Sequence, residues 1–182
     1  MIYTVGHSVR PLAEFLRLLS AHGVEQLADI RTVPRSRRHP QFSSDALARS
    51  LADAGIAYRH MPALGGLRKP RADSHNAAWR NDGFRGYADY METPAFRQAL
   101  DALVEWSRGA PTAIMCAEAV WWRCHRKLVA DALVARGIAV RHIMSPTDAP
   151  AHELTDFARV EEGRVAYEAG DPSRSRKRDG SP

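Results

Sequence analysis

The feature that most restricts this chain is an alternation. Short apolar runs of strand type are followed repeatedly by segments whose apolar residues recur at helical spacing. Ile2 to Gly6 is such a run, and after Pro11 the residues Leu12, Phe15, Leu16 and Leu19 share one helical face. Val24 to Arg31 repeats the strand pattern, and Ser43 or Ser44 then caps a helix that turns Leu47 and Leu51 inward and stops at Gly55. Ile56 to His60 predicts a third strand. Thr93-Pro94 is a cap followed by proline at the first helical position, with Phe96, Leu100, Leu103 and Val104 as the core face. Thr112 to Cys116 predicts a fourth strand, Cys124 to Arg136 a helix with Gly137 as its stop, and Ile138 to Ile143 a fifth strand. Strands separated by helices pair in parallel through crossovers. The expected fold is therefore α/β: a single domain with a mostly parallel β-sheet of about five strands flanked by helices.

One stretch breaks the rhythm. After strand three a long insertion runs from Pro62 to Glu92, with Leu64-Gly65-Gly66 and a short helix expected around Phe84, Tyr87 and Tyr90. Structureless insertions of this length usually carry function. Ala151 to Tyr167 is expected to add a peripheral element. The domain is expected to span residues 1–169, and residues 170–182, rich in Ser, Arg, Pro and Gly, to form a disordered basic tail.

Composition narrows the function classes. No run approaches the eighteen or so apolar residues of a membrane span, and the first residues lack the basic-then-apolar pattern of a secretory leader. A cytoplasmic protein without a membrane partner is expected, its oligomeric state left open. Two cysteines cannot staple 182 residues, and a reducing compartment would keep them mostly as thiols, so their purpose is open. The net charge of +5 invites a nucleic-acid reading, but four basic residues against Asp179 place +3 of it in residues 173–182, leaving +2 for the rest. That remainder is unevenly spread, with Arg31, Arg35, Arg37 and Arg38 in one loop and Arg68, Lys69, Arg71, Arg80 and Arg85 in another.

In an open parallel sheet, ligands bind beyond the carboxyl ends of the strands. The residues there are polar: Gly6-His7-Ser8 after strand one, Asp29-Ile30-Arg31 at the end of strand two, Leu64-Gly65-Gly66 after strand three, and Cys116-Ala117-Glu118 after strand four. These motifs, with Thr4-Val5, Pro34-Arg35-Ser36-Arg37, Pro40-Gln41-Phe42, Gly86-Tyr87-Ala88 and Cys124-His125-Arg126, resemble the family called domain of unknown function 488. The resemblance covers roughly residues 2 to 144 and runs in the family's order. It implies a small prokaryotic α/β protein with one recurring polar site, and it supplies no reaction.

The chemistry must come from the residues. Arg123, His125, Arg126 and Lys127 crowd a helix start, where the macrodipole already favours anions over cations. Free backbone N–H groups and cationic side chains there predict a site for phosphate, sulfate or carboxylate. The alternative is an internal ion network with Glu118 or Asp29 as the negative partner. Cys124 near that helix end is the candidate nucleophile, with His7 or His125 as its base and Glu118 as an acid at the same edge. Cys116 is either a second thiol of the site or a small buried hydrophobe. The turn resembles a phosphate cradle, but Cys116 to Arg123 is one residue too long for the gap of cysteine phosphatases and lacks glycine.

Arg31, Ser36, Arg37, His125 and Arg126 are the expected ligand-binding residues, with Ser8 at the first turn and Tyr87 reaching over from the insertion. Ser8 could instead cap a helix, His7 be a structural histidine, and Tyr87 belong to the core. Trp121 and Trp122 could stack on a base, though one of them is expected to pack. Seven residues separate the cysteines, unlike the short spacing of structural zinc sites, so neither metal nor cofactor is expected, although a disulfide could form if the loop folds back. The leading expectation is a domain that binds an anionic small molecule, such as a nucleotide, and acts on it with a reactive cysteine. The rivals are a nucleic-acid-binding module that uses the arginine loops and basic tail, and a redox or metal sensor.

Overall fold

Ile2–Gly6 (β1), Gln26–Asp29 (β2), Ala57–His60 (β3), Thr112–Cys116 (β4) and Val140–His142 (β5) lie side by side, all parallel, in the order β3-β2-β4-β1-β5. The computed structural model from which this follows describes residues 1–35 and 37–169. Ser36 and the basic tail expected over 170–182 lie outside the described residues.

Helices Leu12–Ala21 (α1) and Ser44–Asp53 (α2) cover one face of the sheet, and Asp82–Met91 (α3), Pro94–Trp106 (α4) and Arg126–Ala135 (α5) cover the other. The period of two along each strand divides the core accordingly. Val5, Leu27, Ala113 and Met115 pack with Phe15, Leu19, Leu47 and Leu51 on the first side. Ile2, Ala28 and Ile114 pack with Tyr87, Leu100, Leu103, Leu128 and Val129 on the second. The inner strands bury both faces, as parallel sheets do. β3 does not: it is an edge strand with alternate residues exposed.

The expected alternation is present with shorter strands. Ser43 does stand at the start of α2, but its hydroxyl donates back to the Pro40 carbonyl at 2.8 Å and makes no bond to the helix. Thr93 does cap α4, accepting from the Phe96 amide at 3.3 Å. The last helix starts two residues later than expected. Trp121–Arg123 forms a single 3-10 turn, Cys124 is extended at φ −121° and ψ 149°, and only then does α5 begin. The insertion after β3 contains α3 as expected, and Ala151 to Tyr167 adds an antiparallel hairpin, Arg159–Glu161 (β6) with Arg164–Ala166 (β7).

This topology fixes where a site can be. From β1 the chain moves toward β2 and β3 under α1 and α2, whereas from β4 it moves toward β5 under α5 on the opposite face. The adjacent strands β1 and β4 are thus the point where the winding reverses, the position at which open α/β sheets form their crevices.

Candidate functional site

The loops leaving β1 and β4 do not part cleanly. The His7 amide donates to the Cys116 carbonyl at 3.1 Å and the Ser8 amide to the Ala117 carbonyl at 2.9 Å, so the pairing continues past the strand ends. Only glycine fits at position 6: a Cβ there would overlap the Glu118 carbonyl. The segment Ala117–Ala119 is thereby laid over the end of β1 and becomes a partition with different chemistry on its two sides.

On one side is an open cleft of about 760 Å³, lined by His7, Ser8, Arg31, Ala117–Ala119 and the loop carrying Arg35, Arg37, Arg38 and His39. Arg31 is not available to a ligand in the expected way. It is buried, and its Nε and Nη2 grip the two oxygens of the fully buried Asp29 at 2.9 and 2.5 Å. Tyr58 donates to the same carboxylate at 2.8 Å. The remaining nitrogen, Nη1, lies 3.2 Å from His7 Nε2. Because His7 Nδ1 is 2.8 Å from the Ser8 carbonyl, which can only accept, that nitrogen carries the proton and Nε2 receives from Arg31. Burial pushes the imidazole down to about pH 4, so it is neutral near pH 7, and it stacks on Phe42 at 4.2 Å. Asp29, weighed as a negative partner for the cluster at the start of α5, instead pairs with Arg31.

Arg35, Arg37 and Arg38 differ. They are exposed and make no ion pair among the described residues, and the cleft they surround holds one carboxylate, Glu118. The other arginine-rich stretch is largely satisfied: Arg71 pairs with Glu92 at 3.0 Å, Arg85 with Asp82 at 2.6 Å, and Arg68 lies over the Tyr90 ring at 3.7 Å. A second cleft of about 740 Å³ beside β6 and β7 sets Glu92, Glu161, Glu162 and Glu168 against Arg159 and Arg164, so its lining is acidic on balance and unsuited to an anion.

Behind the partition are the thiols. Cys124 is buried and Cys116 half-buried, and their sulfurs lie within 4.8 Å of each other and of a His125 ring nitrogen. Neither cysteine lines the arginine cleft. Arg126, expected to face an anion, is instead 1% exposed. It folds back so that Nε donates to Cys124 Sγ at 3.4 Å, and Nη2 donates to the Glu118 and Ala119 carbonyls. The expected convergence of Arg31 and Arg126 on one anion is therefore absent, because each serves an internal acceptor on its own side. A proton donated by Cys116 holds the Cys124 thiol below its ordinary range, with His125 and Arg126 acting in the same direction, and the same bond holds Cys116 up. Tyr87 is core: its hydroxyl donates to the Leu64 carbonyl at 2.7 Å, and its ring lies 5.1 Å from that of His125. Ser8 sits at φ 49° and caps no helix, since Pro11 holds that position for α1.

The sequence reading missed a third cluster. Thr4, His142, His152 and Asp131 form a continuous buried chain, with contacts of 2.8 Å from Thr4 Oγ1 to His142 Nδ1, 2.9 Å between the imidazoles and 2.8 Å from His152 Nε2 to Asp131. Tyr167 and Thr155 donate to the same carboxylate at 2.7 and 2.8 Å. Trp121 covers His142 in a parallel stack at 3.9 Å, so this member of the pair is packed, while Trp122 is exposed. Asp131 was visible as a charged residue three positions after Leu128 on the apolar face of α5.

Among the described residues, no helix is long and apolar enough to cross a membrane. A family model described as Domain of unknown function DUF488 matches residues 11–133. Neither the curated proteins nor the solved structures contain a match.

Proposed function

The chain belongs to the DUF488 family of domains of unknown function, and for this member we propose a binding role: it holds an anionic, phosphate-bearing small molecule in the cleft beside His7. The observation that carries this reading is the unbalanced charge of Arg35, Arg37 and Arg38 around a cleft at the reversal point of the sheet. Arginine presents its donors as a planar fork that matches phosphate oxygens two at a time. Pro34 and Pro40 bracket the loop and limit the backbone freedom lost when it closes on a ligand. His7 and Ser8 form the floor, and Arg31, fixed by Asp29, orients the imidazole. A neutral His7 adds no charge and holds its place by hydrogen bonding.

The sulfurs have no part in this reading, because neither cysteine lines the cleft. Calorimetric titration of the full chain with inorganic phosphate, a nucleoside monophosphate and a single-stranded oligonucleotide tests it. The monophosphate should bind, and Arg37→Ala together with Arg35→Ala should weaken it at least about tenfold, or 1.4 kcal/mol, with the circular dichroism spectrum unchanged. Equal binding by this double variant, or no binding of either phosphate compound at millimolar concentration, would overturn the proposal. An oligonucleotide that binds far more tightly and loses affinity steeply with salt would favour the nucleic-acid rival.

A further inference from the structure

The geometry points to a second, separate site: Cys116, Cys124 and His125 form a three-ligand centre for a thiophilic divalent cation of the zinc class. The spacing of the cysteines in the chain argues against a metal, yet the 3-10 turn at Trp121–Arg123 folds the chain back and brings Cys124 to the end of β4. The three donor atoms lie within 4.8 Å of one another. Bonds of about 2.3 Å to sulfur and 2.0 Å to nitrogen at tetrahedral angles place sulfurs about 3.8 Å apart and sulfur and nitrogen about 3.5 Å apart. Cys124 Sγ and His125 Nδ1 already stand 3.6 Å apart.

Three features outside the ligands match what a metal-bound imidazole and thiolate need. His125 Nε2 lies 3.3 Å from the Ile30 carbonyl, an acceptor, so Nε2 carries the proton and Nδ1 keeps its lone pair on the Cys124 side. A ligating histidine is characteristically oriented by such a bond from its other nitrogen. Arg126 Nε donates to Cys124 Sγ at 3.4 Å, placing a fixed cation beside the charge of two thiolates. Gly66 lets the insertion close over the ring, since a Cβ there would stand 2.9 Å from Nδ1.

On binding, two S–metal bonds and one N–metal bond form, and the protons still held by the thiols pass to solvent. Three protein ligands leave a fourth position for water. Such an open centre differs from the closed four-ligand sites that only brace a fold. Soft thiolates with imidazole favour zinc over the hard cations magnesium and calcium. The site does not depend on the anion cleft, and its failure would leave that reading intact.

Titration of the reduced, chelator-treated full chain with Co2+ under argon tests it. The expected result is sulfur-to-cobalt charge-transfer absorption with ligand-field bands of tetrahedral intensity, saturating at one equivalent and displaced by Zn2+. Cys116→Ser and His125→Ala replace half-buried groups, and each should weaken Co2+ by more than the roughly 10–100-fold lost with an outer partner while circular dichroism stays native. Cys124→Ser should abolish the charge-transfer band. Absence of that band in the reduced wild type, or equal affinity in Cys116→Ser and His125→Ala, would overturn the proposal. A Cys116–Cys124 disulfide that forms in air, in a protein that takes up no cobalt when reduced, would also overturn it and identify a redox pair.

Discussion

Asp29 and Arg31, two residues apart at the end of β2, face each other across a two-pronged ion pair of 2.9 and 2.5 Å in a site almost closed to water. An alternating strand would send i and i+2 to the same face, and the chain uses that geometry to make the pair self-contained. Removing one partner strands the other without water or counter-charge. Asp29→Ala should cost about 3–5 kcal/mol in urea unfolding, and a double Asp29→Leu, Arg31→Met variant should cost less than the sum of the singles. Additive losses would show that the two side chains are not energetically coupled.

Acid should destabilise the fold through imidazoles held neutral by burial. His7 is pushed down to about 4 and His142 to about 3, from an ordinary 6.5. Below 6.5 the unfolded chain takes up protons that the folded chain refuses, so stability is complete above that value and falls as pH drops toward 4. The pH dependence of the denaturant midpoint should steepen over that window, and His142→Gln should flatten it. A midpoint that does not move between pH 6.5 and 4 would contradict the assignment of two neutral imidazoles.

Gly6→Ala should be among the most damaging single-methyl additions in the molecule. The new carbon would meet the Glu118 carbonyl, which is backbone and cannot rotate away. Overpacking of this kind costs about 1–3 kcal/mol. Gly137→Ala makes a useful contrast, because nothing lies within 4 Å of its missing Cβ and its loss reflects only the positive φ of 76°. Differential scanning calorimetry should place the melting temperature of Gly6→Ala well below that of Gly137→Ala.

Tyr167→Phe removes a hydroxyl from the carboxylate of Asp131 and nothing else. Asp131 keeps His152 and both donors of Thr155. A lost hydrogen bond to a charged group is worth about 1.5–3 kcal/mol, whereas Asp131→Ala leaves a whole buried chain unanchored and should cost more. Denaturant unfolding of the two variants checks the order. Equal losses would mean that the imidazole chain gains nothing from its carboxylate.

The five strands of the sheet and the α-helices announced themselves because their patterns are local: Phe15 and Leu19, or Leu128 and Val129, declare a face from spacing alone. The polar ends of β1, β2 and β4 could be placed at one edge for the same reason. Which of them share a chamber could not. Arg126 stands at a helix start in the sequence, yet its long side chain turns back to the Glu118 carbonyl, a direction that no spacing encodes. His142, His152 and Asp131 sit on three different segments and meet only through packing. Seven residues separate the cysteines along the chain, and Trp121 in the 3-10 turn that closes the gap stacks against His142.

The partition formed by Ala117–Ala119 has a thermodynamic consequence. Its Glu118 and Ala119 carbonyls accept from Arg126, while Ala117–Ala119 also line the arginine cleft. Three residues therefore link the arginine cleft to the thiol cluster. A ligand on either side that shifts this segment changes the affinity of the other side, and linkage requires the reverse effect to have the same magnitude. Measured as a pair of binding constants, each with and without the second occupant, the link becomes a coupling energy.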